Sequence, residues 1–224
     1  AGTASEHGLR AAKLAARGFT ARGDSLECDQ GFAASQSDHL NSDAALGTPP
    51  QGWHLRNNLF KYHAACYLTH APIECAREIR LKSNFPPERV KKIMLRIDSG
   101  ADKVCNIPNP ATGLEAKFSL RQTVAMALTG VDTAALDAYT DEVTQEPRIR
   151  ALRDKMSIEF QPGWSHSLAE MAIQLDDGTT IEATHDSGIP WTDVARQRQA
   201  LETKFDSLVT PVLGSAGARR LHDA

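Results

Sequence analysis

Residues 168–184, which read LAEMAIQLDDGTTIEAT, contain the clearest fold signal in the chain. It consists of two strand-like runs, Leu168–Leu175 and Thr179–Thr184. Asp177-Gly178 lies between the two runs, and an Asp-Gly pair favours the tight turn that joins antiparallel strands. The stretch therefore predicts a β-hairpin, and the alternation in VKKIMLRI at 90–97 predicts another strand.

Helical patterns surround these strands. Thr3 and Glu6 have the spacing of a capping box, which predicts a helix with Thr3 as its N-cap that runs to Arg17 and stops at Gly18. Residues 35–52 are polar and rich in helix breakers, which predicts a loop, and residues 53–60 predict a strand. Further helices are predicted at residues 19–32, 65–82, 118–128, 147–156 and 192–208. The helix at 118–128 is expected to end at Gly130.

The predicted elements are distributed unevenly along the chain. Both ends are mainly helical, whereas the middle mixes helices with strands. This order predicts an α+β fold in which a helical layer is interrupted by an inserted α+β module. We place the boundaries at residues 1–50, 51–187 and 188–224.

The composition excludes several classes of protein. Of 224 residues, 41% are hydrophobic and 24% are charged, which is ordinary for a globular protein and unlike a disordered chain. The net charge of −3 gives no basic footprint for nucleic acid, and no apolar run is long enough to span a membrane. The four cysteines lack C-x-x-C spacing, so we expect free thiols in a cytoplasmic protein. Because the chain starts AGTASEHG without Met, we also expect it to begin inside a longer protein.

The densest cluster of reactive side chains is FKYHAACYLTH at residues 60–70. Lys61 precedes the predicted helix, and Cys66 and His70 are four residues apart, which would place them on one helix face. A helix N-terminus beside a lysine attracts carboxylate or phosphate, and a histidine moves protons near neutral pH. The alternative is a purely structural set: a surface lysine, a core cysteine and a capping histidine.

Two other features carry weaker signals. Residues 103–117 are rich in Pro and Gly, which predicts a loop that either covers a pocket or simply connects two elements. The remaining histidines are dispersed and show none of the spacings of a metal site, so we expect neither a metal nor a cofactor.

Five stretches, taken in order, resemble the MmgE/PrpD family, which includes 2-methylcitrate dehydratase, cis-aconitate decarboxylase and iminodisuccinate epimerase. FKYHAACYLTH is similar to the family's F-K-x-x-x-x-C-x-x-x-H, and PATGLEAKFS at 110–119 is similar to its P-x-T-x-x-x-A-K-F-S. The other three are AGTASEHGLRAAKLAARGFT at 1–20, EPRIRALRDKM at 146–156 with the LDDGTTIE hairpin, and LETKFDSLV at 201–209.

The resemblance implies the C-terminal half of a two-domain protein, with part of an all-helical domain and an inserted smaller α+β lid domain. It implies metal-independent proton transfer beside a carboxylate of a small di- or tricarboxylate, in a homodimer. Lys61 matches a family active-site lysine, and Cys66 and His70 match the rest of that motif. Val104 stands where decarboxylases of the family carry a pocket tyrosine, and the family's K-P-x-H segment would precede Ala1.

These points favour a hydro-lyase of propionate metabolism that removes water from a 2-methylcitrate-like tricarboxylate. We expect Lys61 and His70 to be catalytic, and Lys61, Cys66 and His63 to contact the substrate. An epimerase or decarboxylase of the same family, or a non-catalytic protein with this fold, remains the alternative. We expect these 224 residues to be incomplete as an enzyme.

Overall fold

The computed structural model describes residues 2–48 and 57–223, which fall in two compact units, residues 1–54 and residues 55–224. The first unit contains α1 (Gly2–Ala15), α2 (Phe32–Gln36) and α3 (Ser42–Leu46). Gly18 has a positive φ of 84°, which suits the predicted helix stop, because glycine adopts this conformation without strain.

Three predictions for the first unit are wrong. Thr3 lies inside α1, so it is not the N-cap. Residues 19–31 form turns rather than a helix, and Phe32 begins α2 instead. The stretch predicted as a loop contains α3, whose N-cap Asn41 accepts a hydrogen bond from the backbone N–H of Ala44 at 2.9 Å. Short cap interactions of this kind stabilise a single turn that has no apolar periodicity.

The second unit is built on a four-stranded mixed sheet within the described residues. The strands are β1 (Val90–Asp98), β2 (Met156–Gln161), β3 (Leu168–Leu175) and β4 (Thr180–Asp186), in the order β2-β1-β3-β4. β1 pairs with β2 in parallel and with β3 antiparallel, and β3 and β4 form the predicted hairpin. Gly178 has a φ of 86°, as the turn requires.

Helices cover one face of this sheet. α4 (His70–Ser83) packs on β3, β4 and α7 (Leu120–Thr129), and α7 packs on α9 (Pro147–Arg153). The strands direct alternate residues, among them Ile93, Leu95 and Ile97 of β1, into this layer, where they are fully buried. On the opposite face Arg96 pairs with Glu170 at 2.8 Å.

Three short helices and one long one complete the second unit. The short helices are α5 (Gly100–Cys105), α6 (Gly113–Ala116) and α8 (Asp141–Thr144), and the long helix is α10 (Val194–His222). α10 is interrupted at Gly214, whose φ of 66° and ψ of 165° are not helical. The described residues therefore show an α+β architecture. None of their helices combines the length and the apolar character needed to cross a lipid bilayer.

Several predicted bounds in this unit are wrong. The helix predicted at 65–82 starts at His70, and the one predicted at 147–156 ends at Arg153 because Met156 begins β2. The last helix continues past residue 208 to His222, and the predicted loop at 103–117 includes the end of α5 and all of α6. A strand was also predicted at residues 53–60. Residues 53–56 lie outside the described residues, and residues 57–60 do not form a β-strand. The helix stop at Gly130, with a φ of 84°, is confirmed.

Candidate functional site

The segment from Lys61 to His70 is an irregular connection that ends in a turn of 3-10 helix at Tyr67–Thr69. Cys66 is extended, with φ −54° and ψ 138°, and its backbone N–H donates to the Lys117 carbonyl at 2.9 Å. Because Cys66 precedes the turn and His70 begins α4, the expected placement of both on one helix face is wrong. The main chain nevertheless brings both side chains to the same region.

His63 is the most fully paired of these residues. It is 1% exposed, and its Nε2 lies 2.8 Å from Glu74 Oε1 while its Nδ1 lies 2.8 Å from Thr133 Oγ1. Burial lowers the pKa of His63, so the ring is neutral at pH 7. A carboxylate can only accept, so Nε2 carries the proton and donates to Glu74, and the Thr133 hydroxyl donates to Nδ1.

His70 is buried beside His63 with one nitrogen unpaired. The two rings are 4.9 Å apart in an edge-to-face arrangement, and the Tyr67 ring lies 4.8 Å from His70 on another side. The His70 ring bonds to the His63 backbone, but its Nε2 has no hydrogen-bond partner among the described residues. Burial, followed by the nearby His63 and the lysines, lowers the pKa of His70 to about 3. A neutral ring with a free Nε2 is suited to receive a proton or a hydrogen bond from a ligand.

Two lysines make this region electropositive. Lys61 is exposed, and its backbone carbonyl accepts a hydrogen bond from Lys204 Nζ on α10. Burial, reinforced by the charge of Lys61, lowers the pKa of Lys204. The charge of Lys61 also contributes to the lowered pKa values of Cys66 and His70.

Cys66 is half-buried and interacts with a second thiol. The interaction with the Cys105 side chain is the largest cause that lowers the pKa of Cys66 to about 6, and the charge of Lys61 adds to it. The same interaction, together with burial, raises the pKa of Cys105, whose Sγ donates to the Ala101 carbonyl at 3.5 Å. Cys66 is therefore the more acidic thiol of the two.

An aromatic stack closes one side of the site. The Tyr62 and Trp191 rings stack at 4.8 Å, and the Arg196 guanidinium lies 4.6 Å over Trp191. Tyr62 and Trp191 also line a cleft of about 280 Å³, which is close to the lower limit of roughly 300 Å³ for ligand pockets. The polar walls of this cleft are formed by His63, Glu74, Arg77, Asp132, Arg196 and Lys204.

A narrower pocket adjoins this cleft. It shares Tyr62, His63 and Glu74 with the cleft and also contacts His70 and Tyr67, whose hydroxyl donates to the Ser187 carbonyl at 2.6 Å. Across residues 2–48 and 57–223, no three His, Cys, Asp or Glu side chains are grouped as metal ligands would be.

The structure thus brings Lys61, His63, Cys66 and His70 into one region, although by a different local conformation from the one expected. Sequence reasoning missed the residues that complete the region from other elements, chiefly Glu74, Thr133, Arg77, Lys204 and Trp191. Only Glu74 had a local signal, because it lies four residues after His70 on α4.

Comparison with known proteins shows two curated relatives. The chain is 25% identical to the cis-aconitate decarboxylase of Homo sapiens over 223 residues, covering 95% of this chain and 46% of that protein. It is 27% identical to the cis-aconitate decarboxylase of Mus musculus over 224 residues, covering 95% of this chain and 45% of that protein. The chain therefore spans about half the length of these curated relatives.

A family model for the MmgE/PrpD C-terminal domain matches residues 63–224, which include most of the site and the whole sheet. The match extends over well over half of the chain and confirms the resemblance seen in the five ordered motifs. The chain belongs to the MmgE/PrpD family.

Proposed function

We propose that this chain forms part of a lyase that acts on a small tricarboxylate such as 2-methylcitrate, abstracting a proton beside a carboxylate and releasing water. The observation that carries the proposal is the buried His70, whose Nε2 is unpaired among the described residues and which lies close enough to Lys61 and Lys204 for both charges to lower its pKa. A proton acceptor next to fixed cations is what carboxylate chemistry of this kind requires.

In this mechanism the two lysines hold carboxylate groups. Lys61 is exposed at the edge of the site and would bind a substrate carboxylate or polarise the leaving hydroxyl. Lys204 lines the cleft and fixes the main chain at Lys61 through its hydrogen bond. An ammonium group in a partly dry site gains more from a carboxylate than it does in water.

His70 would relay or accept the proton. Its pKa of about 3 is too low for a base at neutral pH, but a bound carboxylate brings negative charge that raises it. As the C–H bond breaks, His70 takes the proton. The electron pair of that bond forms the carbon–carbon double bond as the C–O bond to the β-hydroxyl breaks, and the hydroxyl leaves as water with the proton that His70 returns. Substrate contacts by His63 and Cys66 remain proposals, and because both ring nitrogens of His63 are already bonded we assign it to positioning His70.

A second candidate is decarboxylation. The curated relatives at 25% and 27% identity are cis-aconitate decarboxylases, which favours it, whereas Val104 at the position of the decarboxylase tyrosine favours dehydration. Epimerisation of a related dicarboxylate begins at the same type of carbon. A non-catalytic member of the family would bind carboxylates without converting them.

We further propose a cytoplasmic, metal-independent homodimer in which residues 51–187 form the lid and the flanking residues belong to an all-helical domain. The test of the function is an assay of the longer protein with 2-methylcitrate, citrate, cis-aconitate and iminodisuccinate. Release of water from 2-methylcitrate as the fastest reaction supports the proposal. Loss of CO₂ from cis-aconitate as the fastest reaction, or no turnover of any of the four, contradicts it.

A further inference from the structure

Two cysteines that are distant in sequence meet beside this site. Cys66 immediately precedes the 3-10 turn, and Cys105 is the last residue of α5, which packs on that turn. Both are free thiols, Cys66 packs against the buried core that contains Cys105, and each side chain shifts the pKa of the other. The Cys105 thiol donates its own hydrogen bond to the Ala101 carbonyl at 3.5 Å. The lyase chemistry above gives no role to Cys105.

Backbone contacts tie the two segments that carry these thiols to one stretch of chain. The N–H of Cys66 donates to the Lys117 carbonyl at 2.9 Å. Asn106, directly after Cys105, forms a bridge with Ser119, two residues after Lys117. The segments that carry Cys66 and Cys105 are therefore fixed near each other, and a reaction between the thiols would be intramolecular.

The environments of the two sulfur atoms differ in the way that a reactive pair requires. Cys66 is half-buried and lies near the charge of Lys61, whereas Cys105 is completely buried. Low pKa, partial exposure and a neighbouring second thiol are the features of cysteines that are oxidised reversibly. Cys66 has all three.

We propose that Cys66 and Cys105 form a peroxide-sensitive thiol pair, in which Cys66 is oxidised first and Cys105 then closes a disulfide. The proposal is independent of the reaction that the protein catalyses.

The chemistry balances with hydrogen peroxide as the oxidant. The Cys66 thiolate attacks one peroxide oxygen, so that an S–O bond forms, the O–O bond breaks and hydroxide leaves. The Cys105 sulfur then attacks the Cys66 sulfur, so that the S–S bond forms and the S–O bond breaks. The oxygen leaves as water with the Cys105 proton, and the hydroxide recovers a proton from solvent. Two thiols lose two electrons in total, and one peroxide becomes two waters.

The test uses the native 224-residue chain. Reduced protein is treated with one equivalent of hydrogen peroxide, blocked with iodoacetamide in denaturant, digested and mapped by mass spectrometry. We expect a linked peptide pair containing Cys66 and Cys105 that is two hydrogens lighter, and a fall from four titratable thiols to two. Dithiothreitol should restore all four. Linkage of Cys66 to another cysteine, or oxidation of Cys28 with Cys66 still reduced, overturns the proposal.

Two variants test the order of reaction. In Cys66→Ser the buried Cys105 should remain reduced under the same treatment, because it has no exposed partner to attack. Cys28→Ser is the matched control and should give the Cys66–Cys105 disulfide in unchanged yield. If Cys105 is oxidised in Cys66→Ser as fast as in the native chain, Cys66 is not the first site of oxidation.

Discussion

The substitution Glu74→Ala tests the buried pair that positions the site. Glu74 accepts from the neutral His63 ring at 2.8 Å, and His63 is 1% exposed. Hydrogen bonds to a charged group contribute about 1.5–3 kcal/mol to stability. The Glu74 side chain is 24% exposed, so water partly replaces the lost carboxylate and we expect a loss of about 1–2 kcal/mol. For a chain of this length that lowers Tm by about 2–8 °C.

The assay is urea denaturation of the 224-residue chain, supported by a thermal melt. Glu78→Ala is the matched control, because Glu78 lies on the same helix and pairs with exposed Lys82 at 2.6 Å, an interaction that contributes about 0.3–0.5 kcal/mol. Glu74→Gln keeps an acceptor oxygen without the charge and should lose less than Glu74→Ala. Equal losses for Glu74→Ala and Glu78→Ala would refute the reasoning.

The remaining predictions concern acid stability, metal and association. The pKa of His70 is about 3 in the folded protein, against an ordinary value of 6.5. The neutral ring therefore makes its full contribution to stability above pH 6.5, and this contribution is lost as the pH falls towards 3. By pH 5 the loss of stability is about 2 kcal/mol. In urea denaturation the free energy of unfolding should therefore fall less steeply with decreasing pH for His70→Gln than for the native chain, and parallel declines would contradict this. Dialysis of the longer protein against EDTA should leave activity unchanged, and a loss restored by one divalent ion would show that a metal is needed. Light scattering of the longer protein should give the mass of a dimer, and a monomeric mass at tens of micromolar argues against the expected homodimer.

The sequence was most informative where a local rule determines the backbone. Gly18, Gly130 and Gly178 all adopt the positive φ that the predicted stops and turn require. The Asp-Gly pair between two strand-like runs identified β3 and most of β4, because the turn that joins two antiparallel strands depends on its own residues. Such features depend on residues that are close in sequence.

The errors arise where distant contacts determine local structure. Residues 65–69 have a helical composition, yet Cys66 is extended and its N–H is bonded to the Lys117 carbonyl, so only a 3-10 turn precedes α4, which begins at His70. The candidate site was predicted in part for the same reason. The cluster at residues 60–70 was visible, but its partners Thr133 and Lys204 come from elements far along the chain.

The central claim is that carboxylate chemistry takes place at the Lys61–His70 segment, and kcat/KM of Lys61→Met in the longer protein tests it most directly. Losing one charge-assisted contact in a partly dry site costs about 2–4 kcal/mol, so kcat/KM on the preferred substrate should fall by roughly 30- to 1,000-fold with folding intact. Lys92→Met is the control, because Lys92 is likewise exposed, on β1, and its charge is not among those that lower the pKa values of Cys66 and His70. Activity of Lys61→Met within about threefold of the control, well short of that loss, would contradict the account.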